Sequence, residues 1–163
     1  MMPKSKQKAM AIAVFAVAIG LFALFGPGGW MGGSDEQGGG GVDTADTALV
    51  AQGRAVYADH CASCHGVKLE GQPDWRTRNP DGTMKAPPHD ETGHTWHHPD
   101  RDMFNYTKNG GQATAPPGFK SAMPGFAEAL GDRDIWAVLS YIHSTWPAKV
   151  VERQQRINGQ SRR

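Results

Sequence analysis

Apolar and polar positions divide the chain into stretches of different kind. Residues 9–25 are apolar and uncharged without interruption, with Lys4, Lys6 and Lys8 ahead of them and a Gly-rich turn and Trp30 behind. At a helical rise of about 1.5 Å per residue, residues 9–30 are long enough to cross a hydrocarbon core of roughly 30 Å, and Trp30 suits the far interface. No Ala-x-Ala sequence follows the run, which favours a retained anchor over a cleaved export signal. Nothing polar interrupts it to mark the solvent face of a buried helix. Residues 1–30 are therefore read as an N-terminal signal-anchor or transmembrane helix, with the lysines in the cytoplasm and the rest of the chain exported.

Residues 31–46 carry glycine and acidic side chains and almost nothing that could be buried, the composition of a flexible tether. Helical spacing begins directly afterwards. Leu49, Val56 and Tyr57 make one apolar stripe, with Asp46 or Thr47 placed to cap it. Ile135, Val138, Leu139 and Ile142 repeat at i, i+3, i+4 and i+7, with Asp132 as the candidate cap. A third helix is predicted from Pro99 to about Asn109, with Met103 and Phe104 as its packing residues. Between Gly66 and His98 neither a helical nor a strand period appears, and so long an irregular segment is usually functional or wrapped around something. The pattern predicts an all-α domain over residues 47–146, of three to five helices with the first and last crossing, and a tail over residues 147–163.

Composition adds that any core is modest, since 163 residues include 21 Gly and 11 Pro and only 39% hydrophobic side chains. The tail holds five Lys and Arg against the single acid Glu152 and reads as basic and solvated, with lipid headgroups or an acidic partner as the sharper alternative. Nothing resembles a nucleic-acid module.

Both cysteines fall in the stretch YADHCASCHG, with His65 directly after the second. A zinc site would need a second ligand pair, and adjacent residues such as Cys64 and His65 rarely point at one ion. A redox dithiol would need a βαβ pattern, and a plain disulfide gives His65 no role. Cys-x-x-Cys-His also reads as a covalent haem c attachment. Positions i and i+3 of a helical turn share a face, so Cys61 and Cys64 can each form a thioether with one vinyl group while His65 offers a nitrogen to the iron.

With these residues in place the chain resembles the class I c-type cytochromes, monohaem and here membrane-anchored, over roughly residues 47–146. Gly53 and Tyr57, eight and four residues before Cys61, and Tyr141 occupy the places where that family packs its first helix against its last. The resemblance implies the cytochrome c fold around one covalent haem, and a methionine followed by proline as second iron ligand. Met123 and Pro124 stand at that place, Met84 and Met103 being its competitors. It also implies a proline carbonyl that accepts from the far nitrogen of His65, for which Pro87 or Pro88 is the counterpart.

The irregular segment carries His89, His94, His97 and His98. One reading is a copper site at His94 with His97 or His98. The plainer one makes them, with Trp75, Arg76, Arg78 and Trp96, hydrogen-bond donors to the haem propionates or the loop backbone. A third makes one of them the sixth ligand in place of Met123. His60 and His143 read as surface or helix-face residues.

The function these readings imply is electron transfer without substrate turnover. The resemblance implies a tethered carrier in the inner membrane, its haem domain facing the periplasm, between partners such as a cytochrome bc complex, a terminal oxidase or a photosynthetic reaction centre. Alternatives are a subunit of a larger electron-transfer complex, an accessory protein in copper handling or oxidase assembly, and a haem enzyme or sensor with an open iron site.

Overall fold

The computed structural model describes residues 40–161. Among these no helix is long and apolar enough to cross a membrane, and the anchor expected over residues 1–30, with residues 31–39 of the tether, lies outside them.

Helix α1 spans Thr47–His60 and begins where expected, because the Asp46 carboxylate accepts from the backbone N–H of Ala48 at 3.0 Å and of Leu49 at 2.9 Å. Leu49, Gly53 and Tyr57 are its buried face, four residues apart on one stripe. The helix breaks at Cys61, and a single turn, α2 at Ala62–His65, follows. After the irregular segment and a 3-10 turn at Thr95–His97 comes α3, Asp100–Asn109, which buries Met103 and Thr107. Gly110 ends it in the left-handed region at φ 87° and leads into the single turn α4, Gly111–Thr114. Helix α5, Asp132–Ser144, buries Ile135, Val138, Leu139 and Ile142, the four positions its periodicity selects. Gly131 is its cap and Asp132 its first helical residue; the Asp134 carboxylate accepts from the Gly131 N–H at 3.2 Å.

Helices α1 and α5 form the central crossing. A Cβ on Gly53 would stand 1.9 Å from the Ala137 carbonyl oxygen, so the two backbones meet directly at this point. Beside it the Tyr57 and Tyr141 rings pack with centroids 5.5 Å apart. No strand is present among the described residues, and only two isolated bridges, Arg78 with Met84 and Met84 with Ser121, tie the irregular segments together.

Two segments expected to be solvated are docked. Residues 40–46 lie on α5, with Val42 packed against the core and the Asp43 N–H donating to Ser140 Oγ at 3.0 Å. Besides the 3-10 turn, residues 47–146 hold five α-helical elements, two of them single turns, within the three to five expected, and the basic tail adds a sixth, helix α6, Ala148–Ser161. Val150 and Val151 pack on the core, but α6 is held chiefly by amides. Gln154, 2% exposed, donates to Asp100 Oδ1 at 2.5 Å and to the His98 carbonyl at 3.3 Å. Asn158 accepts from the Asp100 N–H at 2.8 Å, so a side chain of α6 caps the start of α3. Apolar periodicity cannot reveal a helix whose buried residue is a glutamine.

His143 is a second correction. Read as a surface or helix-face residue, it is 5% exposed, its ring 4.0 Å from that of Trp146 and its Nε2 buried without a hydrogen bond, 3.5 Å from Asp100 Oδ1. Burial pushes its imidazole from 6.5 down to about 3, so the folded protein keeps it neutral where the unfolded chain would protonate it. Its contribution to stability is complete above pH 6.5 and is lost at up to about 1.4 kcal/mol per pH unit as pH falls towards 3. Guanidinium unfolding at pH 7.5, 6 and 5 should give His143→Leu a shallower acid loss, by about one proton, than the parent protein. Equal slopes would contradict this account of the buried ring.

Candidate haem site

The break between α1 and α2 presents the motif. Cys61 N–H donates to the Tyr57 carbonyl at 2.9 Å, the last bond of α1, and the Cys61 carbonyl then accepts from Cys64 at 3.1 Å and His65 at 2.9 Å, the first bonds of α2. Both thiols are free: Cys61 is half-buried and Cys64 exposed. Burial, then the neighbouring Cys64, raises the Cys61 thiol to about 11.

His65 is 7% exposed. Its Nδ1 lies 2.9 Å from the Pro87 carbonyl, which can only accept, so Nδ1 carries the proton and Nε2 the lone pair. Burial lowers its pKa, and the bond to Pro87 opposes that shift. Among the described residues Nε2 has no hydrogen-bond partner. Two free thiols one turn apart beside a neutral imidazole with an uncommitted lone pair are the donor set that covalent haem needs, so the residues fit the group.

Pro87, not Pro88, supplies the carbonyl, and backbone pairing 20 residues away in sequence decides it. Gly71 N–H donates to the His65 carbonyl at 2.7 Å, Gln72 N–H to Ala86 at 2.9 Å and His89 N–H to Leu69 at 2.7 Å, which draws residues 86–89 alongside residues 69–72. Gly71, at φ 70°, permits the approach, since a Cβ there would lie 2.4 Å from the Pro88 nitrogen. Leu69 adopts φ 68° and is buried below it.

Met123 lies half-buried in the irregular stretch before α5. Its carbonyl accepts from Gly111 at 3.0 Å and its N–H donates to Ser121 Oγ at 3.2 Å, a hydroxyl also within 3.1 Å of Tyr106. Met103 belongs to the hydrophobic core, 7% exposed. Met84 is half-buried, its N–H bonded to the Lys120 carbonyl at 3.0 Å.

Of the donors expected in the irregular segment, Trp96 and Arg78 bond the loop backbone. Trp96 gives its indole N–H to the Glu91 carbonyl at 3.3 Å, stacks on His97 at 3.7 Å and lies under Arg153 of α6 at 4.8 Å. Trp75 lies under Arg76 at 4.2 Å, its ring 6.3 Å from His94, and Arg78 donates to the Gly82 carbonyl at 2.7 Å. His94 stands 5.3 Å from His97 and 4.7 Å from His98 between ring centres, yet among the described residues no group of three His, Cys, Asp or Glu is arranged to hold a metal ion.

His89, expected only as a donor to the propionates or loop backbone or as an alternative iron ligand, makes a contact of another kind. Its ring stacks on His65 with centroids 4.0 Å apart and planes 22° apart. Burial, then the neighbouring His65, holds its imidazole well below the usual histidine range. No sequence signal marks it, because the contact arises only from the pairing that places Pro87.

A buried, carbonyl-oriented histidine behind two free thiols, in an all-α domain closed by a glycine helix crossing, defines a c-type haem protein. The family model for cytochrome c matches residues 50–146, and the chain belongs to that family, with haem c as its covalent cofactor. A protein named Cbb3-type cytochrome c oxidase subunit CcoP, from Rhodobacter capsulatus, is 32% identical over 101 residues, 61% of this chain and 30% of that protein. The chain thus spans less than a third of that relative's length. No solved structure matches the chain at a significant level.

Proposed function

We propose that this chain is a membrane-tethered monohaem carrier of single electrons on the periplasmic side of the inner membrane, with His65 and Met123 as the iron ligands. The observation that carries this reading is the His65 ring, buried, with Nδ1–H committed to Pro87 at 2.9 Å and Nε2 left over. When bound, haem c supplies an iron that cycles between ferrous and ferric states. Cys61 and Cys64 would hold it through thioethers and His65 would give the Nε2 lone pair, while Pro87 keeps that ring in one tautomer and orientation. Met123 would supply the second protein ligand, and with both ligands in place oxygen and peroxide would find no open site, so the domain would pass electrons without transforming a substrate. Small, weak interfaces then suit rapid exchange of partners.

The ligand assignment is tested by the near-infrared spectrum of the oxidised protein. The iron–sulfur band should be present in the parent and in Met84→Ala and absent in Met123→Ala, which keeps its haem through the thioethers. A band that survives in Met123→Ala assigns the sulfur elsewhere.

A second reading, favoured by the likeness to an oxidase subunit, is a bound subunit of a terminal-oxidase assembly instead of a free carrier. Purification of the full chain in mild detergent separates the two: co-migration with other haem proteins supports the subunit, a small free species the carrier.

A further inference from the structure

We propose that His89 is a positioning residue for His65, a stacked ring that clamps the plane of the iron-ligating imidazole. The inference rests on the reading of His65 as an iron ligand.

The hydrogen bond from His65 Nδ1 to Pro87, 2.9 Å long, fixes one direction in the ring but leaves the plane free to pivot about that axis. The His89 ring, 4.0 Å away and 22° from parallel, removes this freedom, because pivoting would drive the His65 edge into its face. A clamp works only if it is itself held, and His89 is held on several sides. Its N–H donates to the Leu69 carbonyl at 2.7 Å, and its carbonyl accepts from Trp146 Nε1 at 2.7 Å. Nδ1 lies 2.6 Å from the Thr95 hydroxyl, and the Tyr57 ring stands edge-on at 6.1 Å. These anchors come from the α1 stripe, the loop after α2, the 3-10 turn and the end of α5. The ring that meets His65 is therefore fixed by the same packing that closes the domain.

The plane of an axial imidazole sets how its π orbitals overlap the iron d orbitals, so a clamp on the plane is a clamp on the electronic ground state of the oxidised iron. Flat rings can serve here and branched aliphatic chains cannot. Phenylalanine at position 89 keeps a face to stack on, while leucine offers similar apolar volume with no plane.

The test uses the holoprotein and electron paramagnetic resonance of the oxidised form, with the reduction potential and thermal midpoint measured on the same samples. The parent is expected to give one low-spin signal. His89→Leu should shift and broaden its largest g value and move the potential, and His89→Phe should return both close to the parent even where its thermal midpoint falls. Should His89→Leu fail to take up haem, Thr95→Val, which removes the anchor on Nδ1, is expected to broaden the signal on its own. A parent-like largest g value, linewidth and potential in His89→Leu, or in Thr95→Val where the first variant is not recovered, overturns the clamp and leaves the ligand assignment standing. Absence of a low-spin signal in the parent overturns the ligand assignment itself.

Discussion

Replacing Cys61 and Cys64 together with alanine should yield a chain that keeps no haem through denaturing electrophoresis and loses most of its far-ultraviolet helical signal. The thioethers are the only covalent hold on the cofactor, so the first effect is complete instead of partial. The second follows from how little else organises this domain. Its buried apolar residues come mainly from α1, α3 and α5, with Leu69, Leu130 and Trp146 as isolated anchors in the intervening chain. Two irregular stretches, residues 66–94 and 115–131, are held by turns, paired backbone groups and two isolated bridges, not by helix or sheet. Ordering each residue costs roughly 1–2 kcal/mol of backbone entropy, and a covalently bound haem would supply an apolar body able to offset part of it. Single replacements, which leave one thioether, should fall between parent and double variant. Native helicity in the haem-free double variant would contradict the argument and show that side-chain packing alone suffices.

The second large effect is expected at Gly53. Glycine inside a helix is ordinarily unfavourable by about 1 kcal/mol relative to alanine, so propensity alone would have Gly53→Ala stabilise the protein. The crossing reverses the sign. An added Cβ would stand 1.9 Å from the Ala137 oxygen and 2.4 Å from its carbonyl carbon, both backbone atoms that cannot rotate away. Helices α1 and α5 would have to separate, loosening Tyr57 from Tyr141 and Gly53 from Ala137 together. Overpacking a well-filled contact costs about 1–3 kcal/mol, and a collision between two backbones belongs at or above the top of that range. Gly53→Ala should lower the thermal midpoint by roughly ten degrees or more, taking about 4–8 °C per kcal/mol for a domain near this size. Gly159→Ala in α6 is the internal control, because nothing lies within 4 Å of its added Cβ. There propensity acts unopposed, and the midpoint should rise slightly. A rise in both variants would mean that α1 and α5 do not meet backbone to backbone.

Legibility followed the range of the interactions involved. The motif Cys61, Cys64 and His65, the cap at Asp46, the stripe of α1 and the buried face of α5 all depend on residues within about a turn of one another, and they could be read directly. Gly53 and Tyr141 were legible through resemblance to a family, which carries long-range contacts that no local spacing encodes. The extent of the last helix was not legible, because Gln154 and Asn158 look solvated until Asp100 and His98 are brought to them across 54 or more residues. The same holds for His143, whose burial depends on Trp146 and Asp100, and for residues 40–46, whose glycine and acid composition gives no hint of the Ser140 hydroxyl waiting for the Asp43 N–H.

What the sequence by itself determined is the chemistry on offer: two thiols at the spacing of a haem edge, a histidine next to them, methionines downstream, and helices able to frame them. Only the tertiary structure decided which groups serve. It chose Pro87 over Pro88, turned Trp96 towards Arg153 and set His89 against His65. Local chemistry follows from neighbours along the chain, whereas these choices follow from backbone pairing and packing between segments that meet only once the chain has folded.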